Sequence, residues 1–97
     1  MKQPETLLKE RVLKFLRTLP NTWFVKVQQQ TIRGTPDILA CCNGHFVALE
    51  LKRDGTTKPD DLQVYTLAKI SASGGVAMVV HPGNLNDCKK LLKEMVA

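Results

Sequence analysis

The stretch GTPDILACCNGHFVALELK, residues 34–52, decides how this chain folds. Two apolar, β-prone runs, residues 37–42 and 45–52, flank Asn43-Gly44. An Asn-Gly pair between such runs is the strongest short hairpin signal, because both residues accept the positive φ of a type I′ turn. A two-residue loop fixes the register, with Cys42 opposite His45, Cys41 opposite Phe46, Ile38 opposite Leu49 and Asp37 opposite Glu50. Directly opposed side chains have Cβ atoms about 4.5–5.5 Å apart, where like charges repel. Alternation along the strand puts Lys52 on the face of Glu50. Two carboxylates and an ammonium thus converge on strands that otherwise read as buried. That arrangement costs stability unless something compensates the carboxylates.

A divalent cation is the compensator that fits best. Hard carboxylate oxygens with few other donors suit magnesium or manganese, which keep several waters and take up phosphate oxygens. Zinc is not indicated, since His45 and His81 lie far apart in sequence and no cysteine pair has ligand spacing. Lys52 beside the cation could orient or help deprotonate an attacking water and offset charge on a phosphate. These are the parts that metal-assisted phosphodiester hydrolysis requires.

Working outward, Pro4 suits the first turn of a helix whose apolar residues Leu7, Leu8, Val12, Phe15, Leu16 and Leu19 recur at helical spacing up to Pro20. At about 100° per residue, Glu5 falls near that apolar stripe and Glu10 nearly opposite it. Glu10 therefore reads as a solvent-side charge, and Glu5 as pointing inward or along the edge of the core. Residues 22–28 read as a strand, with Trp23 and Phe24 as core. A polar loop leads from there to Gly34 and Pro36. After the hairpin, residues 53–59 form a loop, and residues 60–73 a helix with Asp60 and Asp61 in its first turn and Gly74 at its end. Residues 76–81 read as a fourth strand buried on both faces, and Asn84 or Asn86 can cap a last helix. The expected fold class is α/β, an αβββαβα arrangement with a small mixed sheet flanked by helices.

Length and composition agree with one domain over residues 1–97, and 43% hydrophobic with 24% charged residues is a globular balance. No stretch has the length of a membrane span, and the polar N-terminus does not resemble a signal peptide. A place in the cytoplasm of a bacterial or phage-infected cell is the expectation. The three cysteines form neither a disulfide framework nor a metal motif and read as small apolar fillers. The net charge of +5 is uneven: residues 1–20 hold five basic and two acidic side chains, residues 59–97 four of each. One basic face is expected, and a polyanion such as nucleic acid is its natural partner.

The ordered set of motifs resembles the virus-type replication-repair nuclease (VRR-NUC) family of the PD-(D/E)xK superfamily. GTPD (34–37) is similar to that family's G-x-P-D, ELK (50–52) to its E-x-K, Glu5 to its first-helix glutamate, and Gln63 to the glutamine opening its next helix. The resemblance implies that Asp37 and Glu50 bind Mg2+ or Mn2+, together with the Leu51 carbonyl, and that Lys52 is the catalytic lysine. It implies that Glu5 reaches a second metal or a metal-bound water, and that Gln63 holds the lysine or the substrate. Gln30, Arg33, Arg53 and Lys58 flank this site and are candidate contacts to DNA phosphates. Stand-alone minimal members of the family resemble Holliday-junction resolvases, which are symmetric homodimers. The expected function is therefore metal-dependent, structure-selective cleavage of branched DNA in repair or replication, by a homodimer. A flap nuclease that needs a replication or repair partner protein, and a non-catalytic DNA-binding module of the same fold, remain as alternatives.

Overall fold

The computed structural model describes residues 2–28 and 32–97. Its elements run α1 (Pro4–Arg17), β1 (Thr22–Lys26), β2 (Ile38–Cys42), β3 (His45–Leu51), α2 (Asp61–Ala72), β4 (Val76–Val80) and α3 (Leu85–Met95). This is the αβββαβα order expected from the sequence. The four strands form one mixed sheet in the order β1-β2-β3-β4, antiparallel except for the parallel β3–β4 pair.

The hairpin has the expected register: Ile38 pairs with Leu49, Cys41 with Phe46 and Cys42 with His45. Asn43 and Gly44 take φ values of 51° and 85°, as a type I′ turn demands. Parity then sorts side chains to two faces. Ile38, Ala40 and Cys42 of β2 join Val47, Leu49 and Leu51 of β3 on one face. There they meet Leu8, Val12 and Leu16 of α1 and Leu85, Cys88 and Leu92 of α3. Every one of these residues is at most 4% exposed, so this side holds the core.

The other face is covered only in part, because α2 lies over β3 and β4. Beyond it, Trp23, Cys41 and Phe46 form one row across three strands, and Trp23 is 68% exposed. This corrects the reading of Trp23 as core: Phe24, its neighbour of opposite parity, packs on the core instead. The strand over residues 76–80 also departs from expectation. It is an edge strand, so only Val80 is fully buried and the others are half-buried. Among the described residues, no helix is long and apolar enough to cross a membrane.

Candidate active site

The turn that delivers Asp37 depends on Gly34. Its φ of 87° lies in the left-handed region, and a Cβ there would fall 2.8 Å from the Leu62 carbonyl oxygen. Glycine thus lets the turn press directly on the start of α2. The Asp37 carbonyl accepts from Val27 N–H at 2.8 Å, which carries the β1–β2 ladder one step past β2. Its side-chain Oδ2 accepts from Leu51 N–H at 2.7 Å, pinning the carboxylate across the hairpin beside Glu50.

Glu50 is the one buried charged residue among the described residues, at 2% exposure. Its Oε2 accepts from Gln63 Nε2 at 3.1 Å and lies 3.8 Å from Lys52 Nζ. Its Oε1 is buried with no hydrogen-bond partner among the described residues. Burial first, and the adjacent Asp37 carboxylate second, push the Glu50 pKa up to about 8, and the Lys52 ammonium offsets this only in part. Asp37 is close enough to share a proton with it. A buried carboxylate oxygen without a donor is costly, and each such atom needs a reason. A hard cation between these two carboxylates would satisfy it.

Gln63 ties the cluster together. Its Oε1 accepts from Lys52 Nζ at 3.1 Å and from Asp60 N–H at 3.0 Å, while its own N–H donates to Asp60 Oδ1 at 2.9 Å. The last two bonds are a capping box, in which Asp60 is the N-cap of α2 and not a first-turn residue. The same amide that closes the helix end therefore bridges the ammonium and the buried carboxylate. The signal for this was the D-x-x-Q spacing of Asp60 and Gln63, which sequence reasoning passed over.

A solved structure described as a VRR_NUC domain matches this backbone with a TM-score of 0.74, at 21% sequence identity, over 98% of this chain and 96% of the other. The chain shares its fold with a VRR_NUC domain. No family model matches the sequence, and no curated protein matches it. The fold is thus restriction-endonuclease-like, a mixed four-stranded sheet with helices on both faces.

Within this VRR_NUC-like fold, the other candidate residues are spread around the carboxylate pair. Glu5 is exposed and lines a shallow cavity of about 440 Å³ with Gln3, Pro4, Arg53 and Thr57. It was expected to point inward or along the core edge, but it stands in the first turn, before the buried stripe begins at Leu8. Among the described residues, no group of three or more His, Cys, Asp or Glu side chains is arranged to hold a metal. Leu51 touches Asp37 through its N–H.

Arg53 Nε lies 3.4 Å from Thr57 Oγ1 and 3.6 Å from Asp54 Oδ2, held by its own loop. Asp54 organises that loop: its Oδ1 accepts from the N–H and hydroxyl groups of both Thr56 and Thr57. Those bonds, led by the Thr57 hydroxyl, hold its carboxyl down at about 2. His81 packs under the same loop, since a Cβ on Gly55 would meet its Cε1 at 3.1 Å. No sequence signal links the two. Arg33 and Lys58 are exposed, and Gln30 lies outside the described residues. Cys42 and Cys88 are buried free thiols, the latter pushed up to about 11 by burial, which suits inert core fillers.

Proposed function

We propose that this chain belongs to the VRR-NUC family and is a metal-dependent, structure-selective endonuclease that hydrolyses phosphodiester bonds in branched DNA. The observation that carries the proposal is the buried Glu50 carboxylate beside Asp37, with one oxygen lacking a hydrogen-bond partner among the described residues and Lys52 in reach of the other. A module that only bound DNA would be more stable without this arrangement, which puts a carboxylate with raised proton affinity in the sheet. Asp37 and Glu50, with the Leu51 carbonyl, would hold Mg2+ or Mn2+. When bound, that ion supplies Lewis-acid activation of the phosphate and of a water. Lys52, oriented by Gln63, would hold or move the proton of that water and offset phosphate charge. Glu5, which shares a cavity with Arg53, would reach a second metal or a metal-bound water. Arg33, Arg53, Lys58 and Gln30 would contact phosphates and position the strand without reading sequence.

We read the enzyme as a homodimeric Holliday-junction resolvase because of the half-open sheet. Trp23, Val25 and Phe46 on the sheet, with Leu62 and Tyr65 on α2, are all at least 39% exposed. Leu62 borders the open half, since its backbone abuts the 32–37 turn. Taking aromatic side chains at about 150–250 Å² each, these five expose roughly 500 Å² of apolar surface. That is at the upper end of what a monomer leaves bare and most of the roughly 800 Å² per partner of a standard interface. Two copies related by a twofold could each lay α2 on the bare strands of the other. The bare rows lead along the sheet to the row of Asp37 and Glu50, so such a dimer would carry its two sites on one assembly, as paired cuts require.

The test is cleavage of labelled four-way junction, flap, splayed and linear duplex DNA in Mg2+, Mn2+ and EDTA, with Asp37→Ala alongside. Cutting of branched DNA that needs metal and Asp37 supports the proposal, and symmetric junction cuts support the resolvase. Binding without cutting in either metal refutes nuclease activity for the chain on its own.

A further inference from the structure

A second charged surface lies on the opposite side of the sheet, in the groove between α1 and α3. Arg11, Lys14 and Phe15 of α1, with Thr18 at its C-cap, line a cavity of about 360 Å³ together with Lys89 of α3. Lys89 also lines the neighbouring cavity of about 460 Å³, with Lys90, Lys93 and Glu94. Arg11, Lys14 and Lys89 thus face the α1–α3 groove and Lys93 joins them over Phe15, while Lys90 and Glu94 border the second cavity, lined from residues 86–97. Lys89 and Lys93, one helical turn apart, both bring Nζ to the Phe15 ring, at 5.6 and 5.9 Å from its centroid. Like charges at that spacing on a helix repel. The ion pairs among the described residues are Lys2–Glu10, Lys52–Glu50 and Arg53–Asp54, and none of them involves these five cations. The convergence is invisible to segment charge, because residues 59–97 are neutral in sum; it arises when α3 lies beside α1.

Such a groove suits a polyanion with regularly spaced charges. Glu5 and Arg53 lie at the start of α1, and Arg11 follows Glu5 by six residues, about 9 Å along the helix axis. The cationic groove therefore begins about 9 Å along α1 from Glu5, which shares a cavity with Arg53, and continues on the α1–α3 side. We propose that the α1–α3 groove binds the phosphate backbone of a duplex arm outside the cleavage site, clamping the arm while the branch point occupies the Asp37–Glu50 end. This rests on DNA being the substrate, as proposed above. It assigns to Arg11, Lys89 and Lys93 a positioning role that the nuclease motifs do not contain.

The experiment measures junction affinity as a function of salt, in a Glu50→Gln background that prevents cutting, with and without Arg11→Gln/Lys89→Gln/Lys93→Gln. Junctions with arms of about 25 base pairs are titrated from about 50 to about 200 mM salt. Losing two to three phosphate contacts should lower the slope of log K against log salt by about 2 to 3, and weaken binding by at least about tenfold at the low end. The charge-conserving variant Arg11→Lys/Lys89→Arg/Lys93→Arg should keep the parental slope, and thermal melting of both variants close to the parent shows that they are folded. With Glu50 restored, the glutamine triple variant should cut the junction at the parental saturating rate. An unchanged slope overturns the inference, and so does a lowered saturating rate, which would place the groove at the branch point. If the parental protein cuts nothing yet the slope still falls, the nuclease proposal fails and the groove stands. If it cuts and the slope does not move, the reverse holds.

Discussion

Replacing Glu50 by glutamine should stabilise the metal-free protein at alkaline pH while removing cleavage. The carboxyl has an ordinary pKa near 4.5 and is raised to about 8 in the fold. Below about pH 4.5 it is protonated in both folded and unfolded chains and contributes no penalty. Between about 4.5 and 8 the folded protein retains a proton that the unfolded chain has released, so stability falls as pH rises. The fall is about 1.4 kcal/mol per unit, and above pH 8 the loss is complete. The full span corresponds to about 5 kcal/mol, and local relaxation around the charge brings the expectation to about 3 to 5 kcal/mol. Glutamine escapes this loss. Its carbonyl can keep the bond from Gln63 Nε2, and its neutral amide puts no charge at the buried position of Oε1.

The assay is thermal unfolding of both proteins in EDTA from pH 4.5 to 8.5. At about 4 to 8 °C per kcal/mol for a domain of this size, Glu50→Gln should melt at least about 10 °C above the parent at pH 8.5. The two should converge near pH 4.5. Adding Mg2+ or Mn2+ at pH 8.5 should raise the parent's midpoint and leave the variant's nearly unmoved, because only the ionised carboxylate gains from the cation. A gap that stays constant across the pH range would sink the reasoning, since Glu50 would then be a hydrated carboxylate with no need of compensation.

Three further outcomes follow from the geometry. Gly34→Ala forces a Cβ to 2.8 Å from the Leu62 carbonyl at a φ of 87°, and should cost about 1–3 kcal/mol in chemical denaturation, with cleavage falling in step. Gln63→Ala frees Lys52 and removes the hydrogen bond that Gln63 Nε2 donates to Glu50 Oε2; single-turnover cleavage should slow about 10- to 100-fold, with junction affinity within a few-fold of the parent. Trp23→Asp changes a 68% exposed residue, so it should leave the melting temperature of a dilute sample nearly unchanged yet give a monomer by light scattering. A parent that is itself monomeric at high concentration would refute the dimer.

The fold was legible because its decisive signals are local. Asn43-Gly44 set the hairpin register by turn chemistry alone, and the register placed Asp37 beside Glu50 without any knowledge of the rest. Helical periodicity located α1 and its buried face in the same way. What failed were judgements about which faces find partners. Trp23 satisfies every criterion of a strand core residue, but α2 is one helix and cannot cover four strands, so the face it leaves bare is set by packing. Glu5 illustrates the same limit, because a helical wheel gives direction around an axis but not whether the sheet extends beneath that turn. The cationic groove depends on residues more than seventy positions apart and has no signature along the chain.

Gln63 shows why the helix start and the candidate chemistry cannot be read separately. Glutamate at this position would complete the capping box as well as glutamine, since both reach back to the Asp60 N–H. A third carboxylate would, however, face Glu50 where the amide now donates at 3.1 Å, in a place whose burial already raises the proton affinity of one acid. Alanine would favour the helix but leave Lys52 without the acceptor that orients it. Of the two residue types long enough to close a capping box from this position, glutamine and glutamate, only glutamine also donates to a carboxylate. The residue type is therefore dictated by the cluster, and the helix tolerates it because the cap has the same requirement. Weakening the Asp60 cap should consequently loosen Lys52, although Asp60 makes no hydrogen bond to it among the described contacts.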